Sequence, residues 1–256
     1  MKDMFSLKGK VAIVTGGNGG IGKGIARGFA GVGADIVIAA RNPRKNADAA
    51  AEIKKEFGVR VLEVKINVQE EKEIEAMAKK VVDTFGRIDV LVNNAGINIR
   101  KMPQDLSAAE YDEVLATNLR AVFLCSKAVY PAMKKVGGGK IINIGSMTSL
   151  FAKAKLLPYG TSKGGVVAMT RALAVAWAQD NIQVNAILPG WIDTEMTQRA
   201  RVELEGLNEQ VIARTPVGRW GTTQEVAGTA IYLATAASDF ITGVALPVDG
   251  GYSVSI

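Results

Sequence analysis

Three residues carry the most chemistry for their spacing: Ser146, Tyr159 thirteen positions later, and Lys163 four beyond that, all in GKIINIGSMTSLFAKAKLLPYGTSKGGVVAMTRALA. A free phenol titrates near ~10 and is a poor proton carrier at neutral pH. An ammonium about 4 Å away, at an effective dielectric of ~20, favours the phenolate by roughly 4 kcal/mol. That corresponds to about three pKa units, enough to bring a phenol near neutrality, with part of it lost to the ammonium's own solvation. Residues four apart share a helix face, so Tyr159 and Lys163 are spaced for this use. A second Tyr-x-x-x-Lys lies in YPAMK, where Tyr130 and Lys134 follow Thr117 by thirteen and seventeen positions. Spacing alone does not separate the copies; the elements that carry them do.

The run KIINIG (140–145) is short, apolar and β-branched, and it follows Gly137, Gly138 and Gly139, as a buried strand does. Ser146 then falls at the carboxyl end of a strand, where open α/β sheets bind ligands. Pro158 opens a long apolar helix, since proline fits a first helical turn. Thr117, by contrast, lies in a helical stretch, and Tyr130 sits late in its helix before a glycine stop. Tyr130 is expected to pack or to face solvent.

The other strand-like segments are 10–15, 35–40, 60–67, 88–93, 182–188 and 243–248. Helical patterns occupy 20–32, 44–57, 70–85, 107–117, 119–135, 158–179, 195–213 and 223–236, with capping-box signatures at Ser107/Glu110 and Thr222/Glu225. Alternation of this kind predicts a doubly wound α/β fold with a mostly parallel seven-stranded sheet and helices on both faces. No linker or repeat divides the 256 residues, so one domain over 1–256 is expected.

Composition narrows the chemistry. The chain has no histidine and one cysteine. Ser-His-Asp and Cys-His machinery, histidine-ligated zinc and intrachain disulfides are therefore excluded. Cys125, in AVFLCSKAV, is expected to be a buried structural thiol. Carboxylate, lysine and tyrosine remain for acid–base work. The net charge of +6 comes from scattered basic residues with no long basic run, so an anionic small ligand suits it better than nucleic acid. No apolar run reaches membrane-spanning length and MKDMFSLKGK lacks a signal peptide's apolar core, so a cytoplasmic protein is expected.

The first βα turn, TGGNGGIG (15–22), fits the dinucleotide fingerprint as Gly17-x-Gly19-x-x-Gly22 and a wider variant as Gly16-x-x-x-Gly20-x-Gly22. Its glycines let the backbone approach a pyrophosphate at a helix N-terminus. After the second strand, Ala40 and Arg41 stand where NAD-binding chains place an acidic residue, and an arginine can pair with a 2′-phosphate. NADP is the expected cofactor, with NAD the alternative, and no metal is expected.

Taken in order, Thr15-Gly16-x-x-x-Gly20-x-Gly22, Asn93-Asn94-Ala95-Gly96, Asn118, Ser146, Tyr159-x-x-x-Lys163 and Pro189-Gly190 resemble the short-chain dehydrogenase/reductase family over nearly the whole chain. The resemblance implies a Rossmann-type fold and a catalytic tetrad of Asn118, Ser146, Tyr159 and Lys163. Tyr159 would be general acid in reduction and base in oxidation. Lys163 would lower its pKa and hold the nicotinamide ribose, Ser146 would bind the reacting oxygen, and Asn118 would hold a water in a proton relay. Cofactor contacts would come from Gly16, Asn18, Gly20, Ile21 and Gly22, from Arg41, from Asn67 and Val68 near the adenine, from Asn93, Ala95 and Gly96, and from Pro189, Gly190, Ile192 and Thr194 around the carboxamide. Asn67 replaces an aspartate common in the family. Gly17 and Asn18 stand where NADP-preferring members often carry a basic residue, so the NADP expectation rests mainly on Arg41.

Substrate choice is expected from 97–104, 147–157 and 191–215, with Arg100, Lys101, Lys153 and Lys155 making a positive rim suited to a carboxylated sugar or another anion. FSLKGKVAIVTG, NNAGINIRK, GGKIINIGSMTS and PVGRWGTTQEVAG are similar to bacterial sugar-acid members such as gluconate 5-dehydrogenase and deoxy-ketogluconate dehydrogenase. The rival within the family is 3-oxoacyl-carrier-protein reductase, which usually carries a basic residue and then a glutamate where this chain has Val175-Ala176. A cofactor-binding regulator is the non-enzymatic alternative. The family resemblance further implies a homotetramer.

Overall fold

Seven short runs rich in Val, Ile, Leu and Ala form the strands β1 (Val11–Thr15), β2 (Asp35–Ala40), β3 (Val61–Lys65), β4 (Val90–Asn93), β5 (Gly139–Ile144), β6 (Ile182–Pro189) and β7 (Ala245–Val248). In the computed structural model, which describes residues 2–255, they make one sheet in the order β3-β2-β1-β4-β5-β6-β7. Every pairing is parallel. The expected doubly wound sheet is thus found. Strand order reverses between β1 and β4, which opens a crevice at their carboxyl ends.

Helices α1 (Gly20–Gly31), α2 (Pro43–Phe57), α3 (Glu71–Phe85), α4 (Ala108–Leu115), α5 (Ala121–Lys135), α6 (Leu157–Trp177), α7 (Glu195–Glu203), α8 (Leu207–Arg214) and α9 (Thr223–Ala234) complete the fold. Strand alternation divides the core into two layers. Ala12, Val14, Val90 and Val92 pack toward Ile25 and Phe29 of α1 and Val226 and Leu233 of α9. Val11, Ile13 and Leu91 pack the other way, toward Met77 of α3 and Val129 and Met133 of α5. Cys125 is buried in that second layer, and burial pushes its thiol up to about 12, as befits a packing residue.

Three expected helices differ from their sequence pattern. The segments expected over 107–117 and 119–135 are joined without a break by a π-helical turn, Ala116–Arg120, that contains Asn118. The single helix expected over 195–213 is two, α7 and α8, because Gly206 turns the chain at φ +73°. Both capping boxes are present, with Ser107 and Thr222 accepting from the N–H groups of Glu110 and Glu225.

Candidate active site

The glycine turn shows what it can hold. Thr15 ends β1, and its Oγ1 donates to the Val92 carbonyl (3.2 Å) while accepting from the N–H groups of Asn94 (2.9 Å) and Ala95 (3.1 Å). The Asn94 amide donates to the carbonyls of Thr15 (2.9 Å) and Gly16 (3.3 Å), clamping the turn against the loop after β4. Gly16 and Gly20 lie at φ +66° and +50°, where L side chains are strained. A Cβ on Gly22 would lie 2.3 Å from the Gly16 carbonyl oxygen, so helix and turn approach as only glycine permits. Gly19 caps α1 without a side-chain hydrogen bond. The first N–H groups of α1 are therefore left facing the crevice, an arrangement that fits a pyrophosphate.

A cleft of about 420 Å³ continues from this turn over the carboxyl ends of β4, β5 and β6. Gly16, Asn18, Gly20, Ile21, Ala95, Gly96, Ser146, Tyr159, Lys163, Pro189, Gly190, Ile192 and Thr194 all line it. Thus residues separated by well over a hundred positions meet at one place. Arg41 is exposed just beyond β2, and Asn67 and Val68 follow β3, all three outside the enclosed part. Asn42 caps α2, and Lys45 pairs with Glu195 at 3.2 Å, while Arg41 forms no ion pair among the described residues. Asn18 donates to Asn46 of α2 (2.7 Å). The Asn67 amide oxygen accepts from the Gln69 N–H (3.3 Å), and Val68 is buried in the core.

Ser146 follows β5, its hydroxyl accepting from the Thr148 N–H at 3.1 Å. Tyr159 and Lys163 sit on α6, which Pro158 helps to open. The Lys163 ammonium donates to the Ile144 carbonyl (2.7 Å) and lies 5.6 Å from the Tyr159 ring centroid. Here the sequence-derived electrostatics need correction. Burial lowers Lys163 to about 8, so the ammonium is itself penalised. Burial likewise pushes the Tyr159 phenol up, against the opposing pull of the Ser146 hydroxyl and the Arg100 charge. The expected near-neutral phenol assumed a fully charged lysine beside it in a wetter medium; here the lysine is spent on a main-chain carbonyl.

Asn118 is fully buried. Its amide nitrogen donates to the Ile97 carbonyl (2.9 Å) and the Ser162 hydroxyl (3.2 Å), and its oxygen accepts from the Ile97 N–H (2.8 Å). Both amide hydrogens are committed, so only an oxygen lone pair is left for a water. A Cβ on Gly96 would lie 3.2 Å from that oxygen and 3.8 Å from Lys163 Nζ, so the two polar groups flank one point. Ser162 also donates to the Tyr159 carbonyl (2.7 Å), tying Asn118 to the helix that carries the phenol.

One expected contact is misplaced. The Asn93 amide does not face the cleft; it donates to Ser126 (3.1 Å) and Asn143 (2.9 Å) inside the protein. Asn93 shares the strand parity of Leu91, whose side chain packs on the α5 layer, and Asn94 is the residue that reaches the glycine turn. Alternation along β4 carried that signal. Sequence reasoning missed Ser162, which bonds Asn118, while Thr148 and Trp191 fall within the stretches 147–157 and 191–215 expected to set substrate choice and both line the cleft. Of the expected rim cations, Arg100 and Lys153 line the cleft, whereas Lys101 pairs with Glu110 and Lys155 is exposed and stands off the lining.

Known proteins share this fold. A family model described as "Enoyl-(Acyl carrier protein) reductase" matches residues 16–253. The chain belongs to the short-chain dehydrogenase/reductase family, and it is an oxidoreductase of the class acting on CH–OH groups. It is 42% identical over 256 residues to the 5-keto-D-gluconate 5-reductase of Escherichia coli K12, covering 100% of both chains. It is 39% identical over 255 residues to the 2-dehydro-3-deoxy-D-gluconate 5-dehydrogenase of Formosa agariphila, covering 99% of this chain and 96% of that one. The crystal structure of a gluconate 5-dehydrogenase from Burkholderia cenocepacia J2315 in complex with NADP and tartrate superposes with a TM-score of 0.94 at 39% identity, covering 100% of this chain and 99% of that chain.

Proposed function

We propose that this cleft performs NADP-dependent hydride transfer at a secondary alcohol or ketone of a sugar acid. The observation that carries it is the meeting of Ser146, Tyr159 and Lys163 in one cleft with an uncapped glycine turn. The names of the relatives favour a sugar acid over an acyl-carrier-protein substrate. Arg100 and Lys153 on the lining suit a carboxylate.

The glycine turn and α1 would hold the pyrophosphate, Arg41 the 2′-phosphate, Asn67 and Val68 the adenine, and Pro189, Gly190, Ile192 and Thr194 the carboxamide end. When bound, the dinucleotide supplies or takes the hydride. Ser146 holds the reacting oxygen. Tyr159, protonated at neutral pH, gives its proton to that oxygen in reduction and takes it back in oxidation. Lys163 holds the ribose and offsets charge on the phenolate left behind. Asn118 and Ser162 fix the backbone around both. The region 191–215 closes the substrate side of one domain, and the protein works in the cytoplasm as a homotetramer. Exposed Phe123, Val175, Phe240 and Leu246 are consistent with subunit contacts.

The test is a panel of gluconate, 5-ketogluconate, glucose, simple ketones and acetoacetyl thioesters, each with NADP(H) and NAD(H). Turnover of the sugar acids above all others supports the proposal; preference for the thioester overturns it. Sedimentation velocity at micromolar concentration tests the tetramer.

A further inference from the structure

Folded proteins give nearly all buried polar groups a partner, because an orphaned one costs about 1–3 kcal/mol. This chain follows the rule closely away from its cleft. Asn93, Asn143, Thr170 and Ser126 are all buried and all bonded. Among the described residues, five buried side-chain polar atoms have no hydrogen-bond partner: Asn98 Oδ1, Thr148 Oγ1, Ser149 Oγ, Trp191 Nε1 and Arg201 Nε. Asn98, Thr148 and Trp191 line the same cleft as Ser146 and Tyr159. They come from three different loops, after β4, β5 and β6. The exceptions are concentrated where a ligand would sit.

We propose that Asn98, Thr148 and Trp191 form a hydroxyl-reading subsite that selects substrates carrying hydroxyl groups beside the reacting carbon. The proposal rests on the sugar-acid function given above and deepens it. An amide, a hydroxyl and an indole N–H together offer both donors and acceptors, which is what vicinal alcohols need, each being donor and acceptor at once. A plain ketone or an acyl chain leaves all three atoms unpaired, and a site built to bond hydroxyls discriminates against such a ligand. The groups are also held in place. The Thr148 N–H donates to the Ser146 hydroxyl at 3.1 Å, so Thr148 stands next to the group that would bind the reacting oxygen. The Trp191 ring meets the Lys153 ammonium 4.8 Å from its centroid and Trp220 edge-on at 5.4 Å.

The experiment compares kcat/KM for 5-ketogluconate and for 5-oxohexanoate, the same carbon chain without the hydroxyls, at saturating NADPH. The parent is expected to prefer 5-ketogluconate by about 100-fold, and Thr148→Val and Trp191→Phe each to reduce that ratio about tenfold. Thr148→Ser, which keeps the hydroxyl, should restore it. An equal NADPH-induced rise in Tm across the variants confirms that each is folded and binds cofactor. Variants that keep the parent's ratio overturn the subsite alone. A parent without preference overturns both the subsite and the sugar-acid class, while Tyr159-dependent turnover of 5-oxohexanoate would leave hydride transfer standing.

Discussion

Two Tyr-x-x-x-Lys pairs in one chain behave as different materials. Tyr130 and Lys134 lie at the end of α5 beside Asp180. The Tyr130 hydroxyl donates to Asp180 at 2.6 Å, and Lys134 pairs with the same carboxylate at 2.9 Å. The Asp180 carboxylate and the Tyr130 hydroxyl hold the Lys134 ammonium above its ordinary range, and the Tyr130 ring packs 4.9 Å from Trp177. Tyr159 and Lys163 have no carboxylate partner among the described residues; burial acts on both and drives each toward its neutral form. The spacing supplies a shared helix face in both places. What differs is whether charge is neutralised by a neighbour or kept costly, and only the second leaves a group poised to exchange a proton.

The contrast can be broken most severely at the phenol. Tyr159→Phe should lower kcat about 10³-fold while NADPH still raises Tm, whereas a parent-like rate would end the proposed mechanism. Next comes the lysine. Its pKa lies below the unfolded value, so between about 8 and 10.5 the unfolded chain binds more protons and stability rises with pH; below that window the full penalty, about 3 kcal/mol, is present. Urea unfolding from pH 7.5 to 8.5 should show this rise in the parent and not in Lys163→Met, a range that stops short of the ordinary titration of Cys125 and Tyr159, both pushed up by burial, where the sign reverses. Arg41→Ala should raise the KM for NADPH about tenfold and leave that for NADH unchanged, removing most of the preference. Tyr130→Phe sharpens the comparison by its smallness: turnover unchanged and a Tm within about 2 °C of the parent.

Most of the architecture was legible because parallel strands buried on both faces read as unbroken apolar runs and helices show their caps. Ser146, Tyr159, Lys163 and the glycine turn were legible because few residue types can do their work at those spacings. The π-helical turn around Asn118 was not, since one extra residue in a turn leaves no mark in a 3.6-residue period. Nor was the break at Gly206, because a lone glycine within a helical pattern is tolerated and does not by itself end a helix. The inward turn of Asn93 is carried by strand parity, since it shares the face of Leu91 while Asn94 reaches the glycine turn. The phenol's electrostatics were out of reach, because they depend on how deeply Lys163 is buried and on its bond to Ile144, and neither is written in spacing.

Helices α7 and α8 carry a small core of their own, in which Ala200, Leu207 and Val211 gather around Trp220, with Trp191 against it and the Arg201 guanidinium 4.0 Å above the Trp220 ring. The chain has three tryptophans, and the third, Trp177, is stacked on Tyr130 far along α6 from the phenol. Indole emission is therefore a built-in gauge: Trp191 lines the cleft with Trp220 packed against it, while Trp177 lies remote as a reference, so binding of a ligand in the cleft can be followed without a dye.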